Sequence, residues 1–259
     1  MKIQFSKFQG TGNDFVMLDN LSGKYNALSI EQIKNLCDRR FGIGADGLIK
    51  INSSEKSAFE MDYYNADGSK SFCGNGARCA VEFATSLGID TKSVYFDACD
   101  GEHFAERNET EIRVKMNNVV AIDSDGDAFI VQTGSPHFVQ YQPNNTLKSI
   151  LDFGREIRYS DKYRSTGINV NLVQVLSKNE IVIETYERGV EDETLSCGTG
   201  ATACALVLDF LSESELSKVK VKVKGGNLLV EFKRIAQGRY EEIYLIGSAN
   251  FVYAGEIDA

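Results

Sequence analysis

Hydrophobic and polar residues alternate over many short stretches of the chain, which is the pattern of half-buried β-strands. The predicted strands are Phe59–Tyr64, Ile168–Leu176, Glu180–Tyr186, Lys218–Val223, Leu228–Phe232, Ile243–Ile246 and Phe251–Tyr253. Between two of them, Gly225 and Gly226 predict the turn of a hairpin. The chain is therefore expected to be rich in β-sheet.

Two longer segments show the spacing of helices. One runs from Ala77 to Leu87 and stops at Gly88, a residue suited to a helix C-terminus. The other runs from Ala201 to Leu211 and is apolar almost all round, which predicts a helix buried on every side. Shorter helices are predicted from the Ser29–Gln32 capping box to Cys37 and from Thr146 to Phe153.

A short motif occurs twice. Cys73–Ala77 reads Cys-Gly-Asn-Gly-Ala, and Cys197–Ala201 reads Cys-Gly-Thr-Gly-Ala. Each copy follows a predicted strand and a polar segment, Asn65–Ser69 or Glu187–Ser196, and each precedes a predicted helix. Repetition of a whole strand–loop–helix context indicates a duplicated unit. We expect an α+β fold of two pseudo-symmetric domains, residues 1–118 and 119–246, each a curved, mostly antiparallel sheet or barrel around a central helix.

The composition and charge of the chain exclude several classes of function. The chain has 259 residues, of which 42% are hydrophobic and 25% charged, so it can bury an ordinary core. Its net charge of -9 argues against nucleic acid or an anionic membrane as the main partner. We find neither a signal-peptide pattern nor an apolar stretch of membrane-spanning length, and we expect a cytoplasmic protein. Its six cysteines should then be thiols. With no Cys-x-x-Cys pair and two histidines, no metal site is expected.

The repeated motif predicts chemistry. A cysteine before Gly-x-Gly at the start of a helix lies in the field of the helix N-terminus, which favours a thiolate and a bound carboxylate. If Cys73 and Cys197 flank one substrate, one can remove an α-proton and the other can deliver a proton to the opposite face, which inverts the stereocentre without pyridoxal phosphate or metal. Cys79 and Cys204 lie inside the helices and are interpreted as core residues. Cys37 and Cys99 belong to no motif and are interpreted as structural.

The chain resembles the diaminopimelate epimerase family. The resemblance rests on Gly10–Phe15, Asp38–Gly47, Asn65–Ser69 with Cys73–Arg78, and Tyr186–Val190 with Cys197–Ala201. It implies cofactor-free interconversion of LL- and meso-2,6-diaminopimelate for lysine and peptidoglycan-precursor synthesis. It also implies an active site in the cleft between the domains and a C-terminal strand, within residues 247–259, that returns to the first domain.

The resemblance also assigns roles to residues. Cys73 and Cys197 match the catalytic pair. Apart from the resemblance, the chemistry of His137 and Glu187 makes them candidates for modulating a thiol pKa. The positions that match substrate-binding residues are Asn13, Asn65, Gly74, Asn75, Asn169, Glu187, Arg188, Gly198 and Thr199. Two departures stand out: Ser135 replaces an Asn that helps to hold the distal end of the substrate, and Gly47 replaces a Gln found in some members.

Several alternatives stay open on the sequence alone. The asparagines in turns also serve their own backbone, and Arg188 could be a solvated loop charge. The same cysteine pair occurs in racemases of other amino acids, such as histidine or proline. From other functional classes, a thiol redox protein and a non-catalytic carboxylate-binding protein remain. The partner is expected to be a small amino acid, and the oligomeric state is open, with a homodimer as one option.

Overall fold

The computed structural model describes residues 2–142 and 149–258. The chain forms two compact units, here called the first unit (Met1–Val114 with Gly247–Ala259) and the second unit (Lys115–Ile246). The chain thus leaves the first unit after Val114, a few residues before the position 118 expected from the sequence.

The first unit is built on strands β1 to β7 and the C-terminal strand β17. Its elements are β1 (Lys2–Gly10), β2 (Asn13–Asn20), α1 (Ile30–Cys37), β3 (Gly47–Asn52), β4 (Glu60–Asn65), α2 (Gly74–Ser86), β5 (Ser93–Ala98), β6 (Gly101–Arg107), β7 (Ile112–Lys115) and β17 (Asn250–Asp258). β17 pairs antiparallel with β1, from Lys2 opposite Asp258 to Gln9 opposite Asn250. The C-terminus of the chain therefore belongs to the sheet of the first unit.

The second unit repeats this content. Its elements are β8 (Ile122–Asp125), β9 (Ala128–Gln132), β10 (Pro136–Tyr141), α3 (Ile150–Arg158), β11 (Asn169–Ser177), β12 (Glu180–Glu187), β13 (Asp192–Thr194), α4 (Gly198–Leu211), β14 (Lys218–Val223), β15 (Gly226–Ala236) and β16 (Arg239–Gly247).

The two sheets have the same order of strands and the same orientations. In the first unit the order is β17-β1-β2-β3-β4-β5-β6-β7, with parallel pairs at β2–β3 and β4–β5 and antiparallel pairs elsewhere. In the second unit it is β8-β9-β10-β11-β12-β14-β15-β16, with parallel pairs at β10–β11 and β12–β14. Each parallel pair is linked by a helix, as a parallel connection requires. The repeated topology confirms the predicted α+β class, and β17 takes in the first unit the place of β8 in the second.

A buried helix lies at the centre of each unit. α2 packs against β1 to β4 and β6, and α4 packs against β9 to β12, β14 and β15. Both helices are buried over most of their length, and the side chains of Cys79 and Cys204 lie in the cores they build. α2 ends at Ser86 with Leu87 as its C-cap, and Gly88 follows as the predicted C-terminal stop, with a φ of +88° and an N–H that donates to Thr85 O. The two long helix predictions are thus confirmed as central elements.

Their starting points were predicted wrongly. α2 begins at Gly74 and α4 at Gly198, each three residues before the predicted alanine. Because glycine disfavours a helix interior, the sequence predicts each helix to begin only at the alanine that follows Gly-x-Gly. In the structure, however, Cys73 and Cys197 are the extended N-cap residues, and the glycines form the first helical turn.

Other local predictions need correction. The hairpin turn is Lys224–Gly225, because Val223 pairs with Gly226. The loop from Glu187 to Ser196 contains strand β13, which pairs with β12. The Ser29–Gln32 capping box is confirmed. The helix predicted from Thr146 begins at Ile150 with Ser149 as its cap, and residues 146–148 lie outside the described part of the chain.

Candidate functional site

Cys73 is half-buried at the N-cap of α2, with its sulfur between a donor and an acceptor. Gly76 N–H donates to Cys73 Sγ at 3.4 Å, and Asn13 Oδ1 lies 3.6 Å from the same sulfur. Asn75 Nδ2 donates to that Oδ1 at 3.2 Å. A protonated Cys73 can satisfy both contacts, because S–H donates to the amide oxygen while sulfur accepts from the backbone.

Asn13 is held by the turn between β1 and β2 and by an ionic cluster. Thr11 and Gly12 form the two-residue turn with φ of 52° and 87°. Asn13 Nδ2 donates to Asp46 Oδ2 at 2.7 Å, so its Oδ1 is turned towards Cys73. Arg39 pairs with both Asp46 and Asp14, each at 2.6–2.7 Å. This cluster fixes the orientation of the Asn13 amide. The sequence had indicated no partner for that amide.

The electrostatics of this cluster favour its ionised state. Burial acts to raise the pKa of Asp14, but hydrogen bonds and charge from Arg39 and Lys7 outweigh it and lower that pKa to about 2. The Asp14 carboxylate therefore stays charged at neutral pH and holds Arg39, which also pairs with Asp46.

Asn65 is the last residue of β4, and the described hydrogen bonds of its side chain reach residues no more than six positions away in the sequence. Tyr63 Oη donates to its Oδ1 at 2.7 Å, and its Nδ2 lies 3.0 Å from Ser69 Oγ and 3.2 Å from Ser71 Oγ. Its assignment to substrate binding stays a prediction.

Cys197 is buried at the N-cap of α4, and its sulfur lies 3.4 Å from Thr199 Oγ1. Thr199 Oγ1 in turn lies 2.8 Å from His137 Nε2 and 3.2 Å from Ser135 Oγ. Asn75 in the first unit and Thr199 in the second occupy the same position of the motif, two residues after the cysteine. Each contacts a residue at the start of a neighbouring strand: Asn75 contacts Asn13, the first residue of β2, and Thr199 contacts Ser135, which directly precedes β10.

The hydrogen bonds of the second unit form a relay that ends at Cys197. Asn171 Nδ2 donates to His137 Nδ1 at 3.1 Å, which assigns the ring proton to Nε2. Asn171 is itself oriented by donating to Phe138 O and accepting from Thr185 Oγ1. With this tautomer His137 Nε2–H donates to Thr199 Oγ1, which leaves the Thr199 hydroxyl proton free to be donated to Cys197 Sγ at 3.4 Å or to Ser135 Oγ at 3.2 Å. We refer to Asn171, His137 and Thr199 as the relay.

His137 is fully buried, which keeps the relay neutral. Burial first, and the charge of Arg188 second, lower the pKa of His137 to about 3. The imidazole therefore acts at neutral pH as a hydrogen-bonding group and carries no charge. The sequence pointed to His137 but missed Asn171, although Asn169 and Asn171 alternate along one strand and so share a face.

Asn169 links Ser135 to the loop of Arg188. Its Nδ2 donates to Ser135 Oγ at 3.0 Å, and its Oδ1 accepts from Arg188 N–H at 2.9 Å. The Arg188 guanidinium is exposed, with Nη1 3.0 Å from Thr166 O. Glu187, half-buried, ends β12. These contacts bring His137, Ser135, Asn169 and Arg188 together in the second unit.

The remaining cysteines differ sharply from the motif cysteines. Cys79 and Cys204 are fully buried, and burial raises the pKa of both thiols. Burial likewise raises the pKa of Cys37 to about 12. Cys99 is exposed on the surface. The interpretation of Cys79 and Cys204 as core residues and of Cys37 as a structural residue agrees with these positions, whereas the exposed position of Cys99 gives it no packing role in the core.

Comparison with known proteins places this geometry in a family. The family model for diaminopimelate epimerase matches residues 5–122 and 129–252. A diaminopimelate epimerase of Flavobacterium psychrophilum is 44% identical over 95% of this chain and 97% of its own length. One from Aquifex aeolicus is 36% identical over 98% of both chains.

This chain belongs to the diaminopimelate epimerase family. Solved structures with a similar fold include a phenazine biosynthesis protein of the PhzF family from Bacillus anthracis, with a TM-score of 0.76, 15% identity and full coverage of both chains. Another is a probable proline racemase from Agrobacterium radiobacter, with a TM-score of 0.70 and 12% identity over 99% of this chain and 93% of that one. At such identities these two matches describe the fold alone.

Within the described residues, no helix is long and apolar enough to cross a membrane. In the same part of the chain, no three His, Cys, Asp or Glu side chains are grouped to hold a metal ion.

Proposed function

We propose that this member of the family is a cofactor-independent epimerase that interconverts LL- and meso-2,6-diaminopimelate, with Cys73 and Cys197 as its two acid–base groups. The observation that carries the proposal is the repetition of one setting: each unit places a cysteine at the N-cap of a buried, glycine-rich central helix. A reaction that inverts a stereocentre needs one base and one acid on opposite faces of one carbon, and the duplication supplies two such thiols.

The proposed reaction has two proton transfers. One thiolate takes the proton from the α-carbon, and the C–H electron pair is delocalised into the α-carboxylate. The other thiol gives its proton to the opposite face of that carbon, which restores the C–H bond with inverted configuration. The first sulfur ends as a thiol and the second as a thiolate, so the two exchange roles and the atoms balance.

The helix N-termini suit the charge that develops in this reaction. In α2 the first intrahelical bond runs from Ala77 N to Cys73 O, and in α4 from Ala201 N to Cys197 O. The N–H groups of the first turns, at Gly74–Asn75 and Gly198–Thr199, therefore belong to the half-positive end of each helix. Such groups stabilise a carboxylate whose charge grows in the transition state.

Recognition of the distal end of the substrate is proposed for the second unit. The exposed Arg188 guanidinium can form a bidentate pair with the second carboxylate of diaminopimelate. Ser135 is held between Asn169, His137 and Thr199, all at 3.0–3.2 Å, so its shorter side chain is already part of the hydrogen-bond network. We propose that Asn13, Asn65 and Asn169 complete the polar surface, with Glu187 beside Arg188.

The proposal is tested by assaying purified protein with LL-diaminopimelate and with both enantiomers of proline and histidine. We expect formation of the meso isomer and no inversion of the other amino acids. Cys73→Ala and Cys197→Ala should each abolish epimerisation, since each direction needs both groups. Cys99→Ala is the matched control, because Cys99 is exposed and belongs to no motif, and it should retain full activity. Inversion of proline or histidine without diaminopimelate turnover, or activity in either single-cysteine variant, would overturn the proposal.

A further inference from the structure

Arg78 carries a buried positive charge that no carboxylate balances among the described residues. Its side chain is 0% exposed. Its guanidinium donates to Ser248 O, Gly74 O, Thr11 Oγ1 and Asn75 Oδ1 at 3.0–3.4 Å, and all four acceptors are neutral. Burying an unpaired charge costs several kcal/mol, so a buried cation without a counter-charge indicates a functional demand.

The other charges around α2 are paired with each other. On the neighbouring strands, Lys7 of β1 pairs with Asp14 of β2, which also binds Arg39, and Lys50 of β3 pairs with Asp62 of β4. The other charged or titratable groups are Asp46 with Arg39, Lys70 with Asp62, Glu82 of α2 with Arg107 of β6, His103 of β6 with Asp100, and the buried thiol of Cys79. Within the part of the chain that the structure describes, Arg78 therefore differs from the other cations around α2 in having no ion pair.

The guanidinium lies against the first turn of α2, the turn that Cys73 caps. It reaches back from position 78 to the carbonyl of Gly74 and the side chain of Asn75. Gly10 allows this approach, because a Cβ there would lie 3.2 Å from Arg78 Nη2. Burial lowers the pKa of Arg78, and ionisation of Cys79 or Cys73 would act in the opposite direction. Because burial keeps the Cys79 thiol protonated, Cys73 is the cysteine whose ionisation Arg78 can support.

Cys73 needs such a charge when it loses its proton. Asn13 Oδ1 lies 3.6 Å from Cys73 Sγ and is a good acceptor for S–H. The same oxygen repels a thiolate, and Asp46 holds it in place through Asn13 Nδ2. A positive charge close by offsets this repulsion.

We propose that Arg78 is a positioning residue that supplies the counter-charge for the Cys73 thiolate and, through Asn75, orients Asn13. This inference deepens the proposed function and rests on it, because the proposed reaction requires a thiolate at Cys73. In the second unit the equivalent position is Thr202, whose hydroxyl donates to Gly198 O at 3.0 Å. The relay of that unit provides an O–H donor to Cys197 instead of a charge. The two thiols are thus supported by different means.

The first test measures the pH dependence of alkylation of Cys73 and Cys197 by peptide mapping in one protein sample. Arg78→Gln should slow alkylation of Cys73 about tenfold at neutral pH by raising its thiol pKa. Arg78→Lys, which keeps the charge, should restore the reactivity of Cys73, and Cys197 should react equally in all three proteins. If Arg78 had only a structural role, the pH profile of Cys73 alkylation would be the same in Arg78→Gln and Arg78→Lys. That result would overturn the proposal.

A second test leaves Arg78 in place and so does not depend on the folding of its variants. Cys73→Asp and Cys73→Asn differ by one negative charge, and Cys197→Asp and Cys197→Asn are the matched pair in the second unit. If Arg78 stabilises an anion at position 73, Cys73→Asp should melt at a higher temperature than Cys73→Asn. That difference should be about 2–4 °C larger than the difference between Cys197→Asp and Cys197→Asn. Equal differences at both positions would show that the helix N-terminus alone acts, and would refute the role of Arg78.

Neither test measures epimerisation, so each is independent of the proposed function. If the Arg78 substitutions leave Cys73 alkylation unchanged while epimerisation still requires both cysteines, only this inference is refuted. Retained epimerisation in Cys73→Ala would refute the proposed function alone.

Discussion

The surroundings of Cys73 and Cys197 differ far more than the backbone that presents them. Both cysteines cap a central helix between corresponding strands. Around Cys73 lie a buried cation and an amide oxygen fixed by an ionic cluster, whereas around Cys197 lies the neutral relay. Duplication thus preserved the presentation of the thiol, and the two units stabilise it by charge in one case and by hydrogen bonding in the other.

The largest expected effect concerns what the two regions share. Brief alkylation of the native protein should modify Cys73 and Cys197 on the order of 100-fold faster than Cys37, Cys79 and Cys204, because the helix N-terminus favours thiolates and burial suppresses them. Exposed Cys99 is the control for access, and it should react more slowly than both motif cysteines. Quantitative peptide mapping gives the rates, and preferential labelling of Cys79 or Cys204 would contradict the assignment.

Next in size is an effect confined to the second unit. Thr199→Val removes the hydroxyl that lies 3.4 Å from Cys197 Sγ, where it can donate to a thiolate, and keeps the shape of the side chain. A hydrogen bond to a charged group contributes about 1.5–3 kcal/mol, so alkylation of Cys197 at neutral pH should fall roughly tenfold or more. Thr199→Ser is the matched control and should react like the native protein. A response of Cys73 to Thr199→Val, or none at Cys197, would break the comparison.

His137 gives a pH dependence of stability to the second unit. Because its pKa is lowered from 6.5 to about 3, the unfolded state binds a proton that the folded state excludes. The contribution of neutral His137 to the free energy of unfolding is therefore complete above about pH 7 and is lost as the pH falls towards 3. His137→Asn should show a smaller loss of stability between pH 7 and pH 4 in urea titrations. Parallel curves for the two proteins would exclude a buried neutral imidazole.

A smaller contrast concerns the second glycine of each motif. A Cβ on Gly200 would lie 2.6 Å from Asn171 Oδ1, which is fixed by Thr185, whereas one on Gly76 would lie 3.2 Å from the flexible ends of Ile49 and Met61. Gly200→Ala should therefore cost about 1–3 kcal/mol of unfolding free energy, and Gly76→Ala less than about 1 kcal/mol. Equal losses in chemical denaturation would show that Asn171 can move, and so would weaken the relay.

The sequence was sufficient for the framework because its strongest signals are local. The buried helix of Ala201–Leu211, the capping box at Ser29 and the stop at Gly88 each depend on adjacent residues, and the structure contains all three. Strand β3 was not predicted because it is buried on both faces, which removes a clear alternation. Strand β5 does alternate in burial, but the exposed Tyr95 between Val94 and Phe96 hides that alternation in the sequence. The helix starts were misplaced because close packing at Gly76 and Gly200 outweighs the low helix propensity of glycine.

The candidate site was predicted less completely than the fold. His137, Ser135, Thr199 and Cys197 are brought together as the motifs indicated. The sequence did not indicate the roles of Asn171, Asp46 and Arg78. Asn171 and Asp46 each contact a residue 30 or more positions away, and the charge of Arg78 is notable only because the fold buries it. Such long-range pairing has no signature in one sequence.

The central claim, that two separate thiols act as acid and base, is tested most directly by epimerisation in heavy water. Proton NMR of the α-position during the first few per cent of conversion follows deuterium in substrate and product. With two bases, one thiol takes the substrate proton and the other delivers a solvent-exchanged one, so product should carry deuterium at the inverted carbon while recovered substrate carries almost none. Rapid entry of deuterium into unconverted substrate would contradict the account.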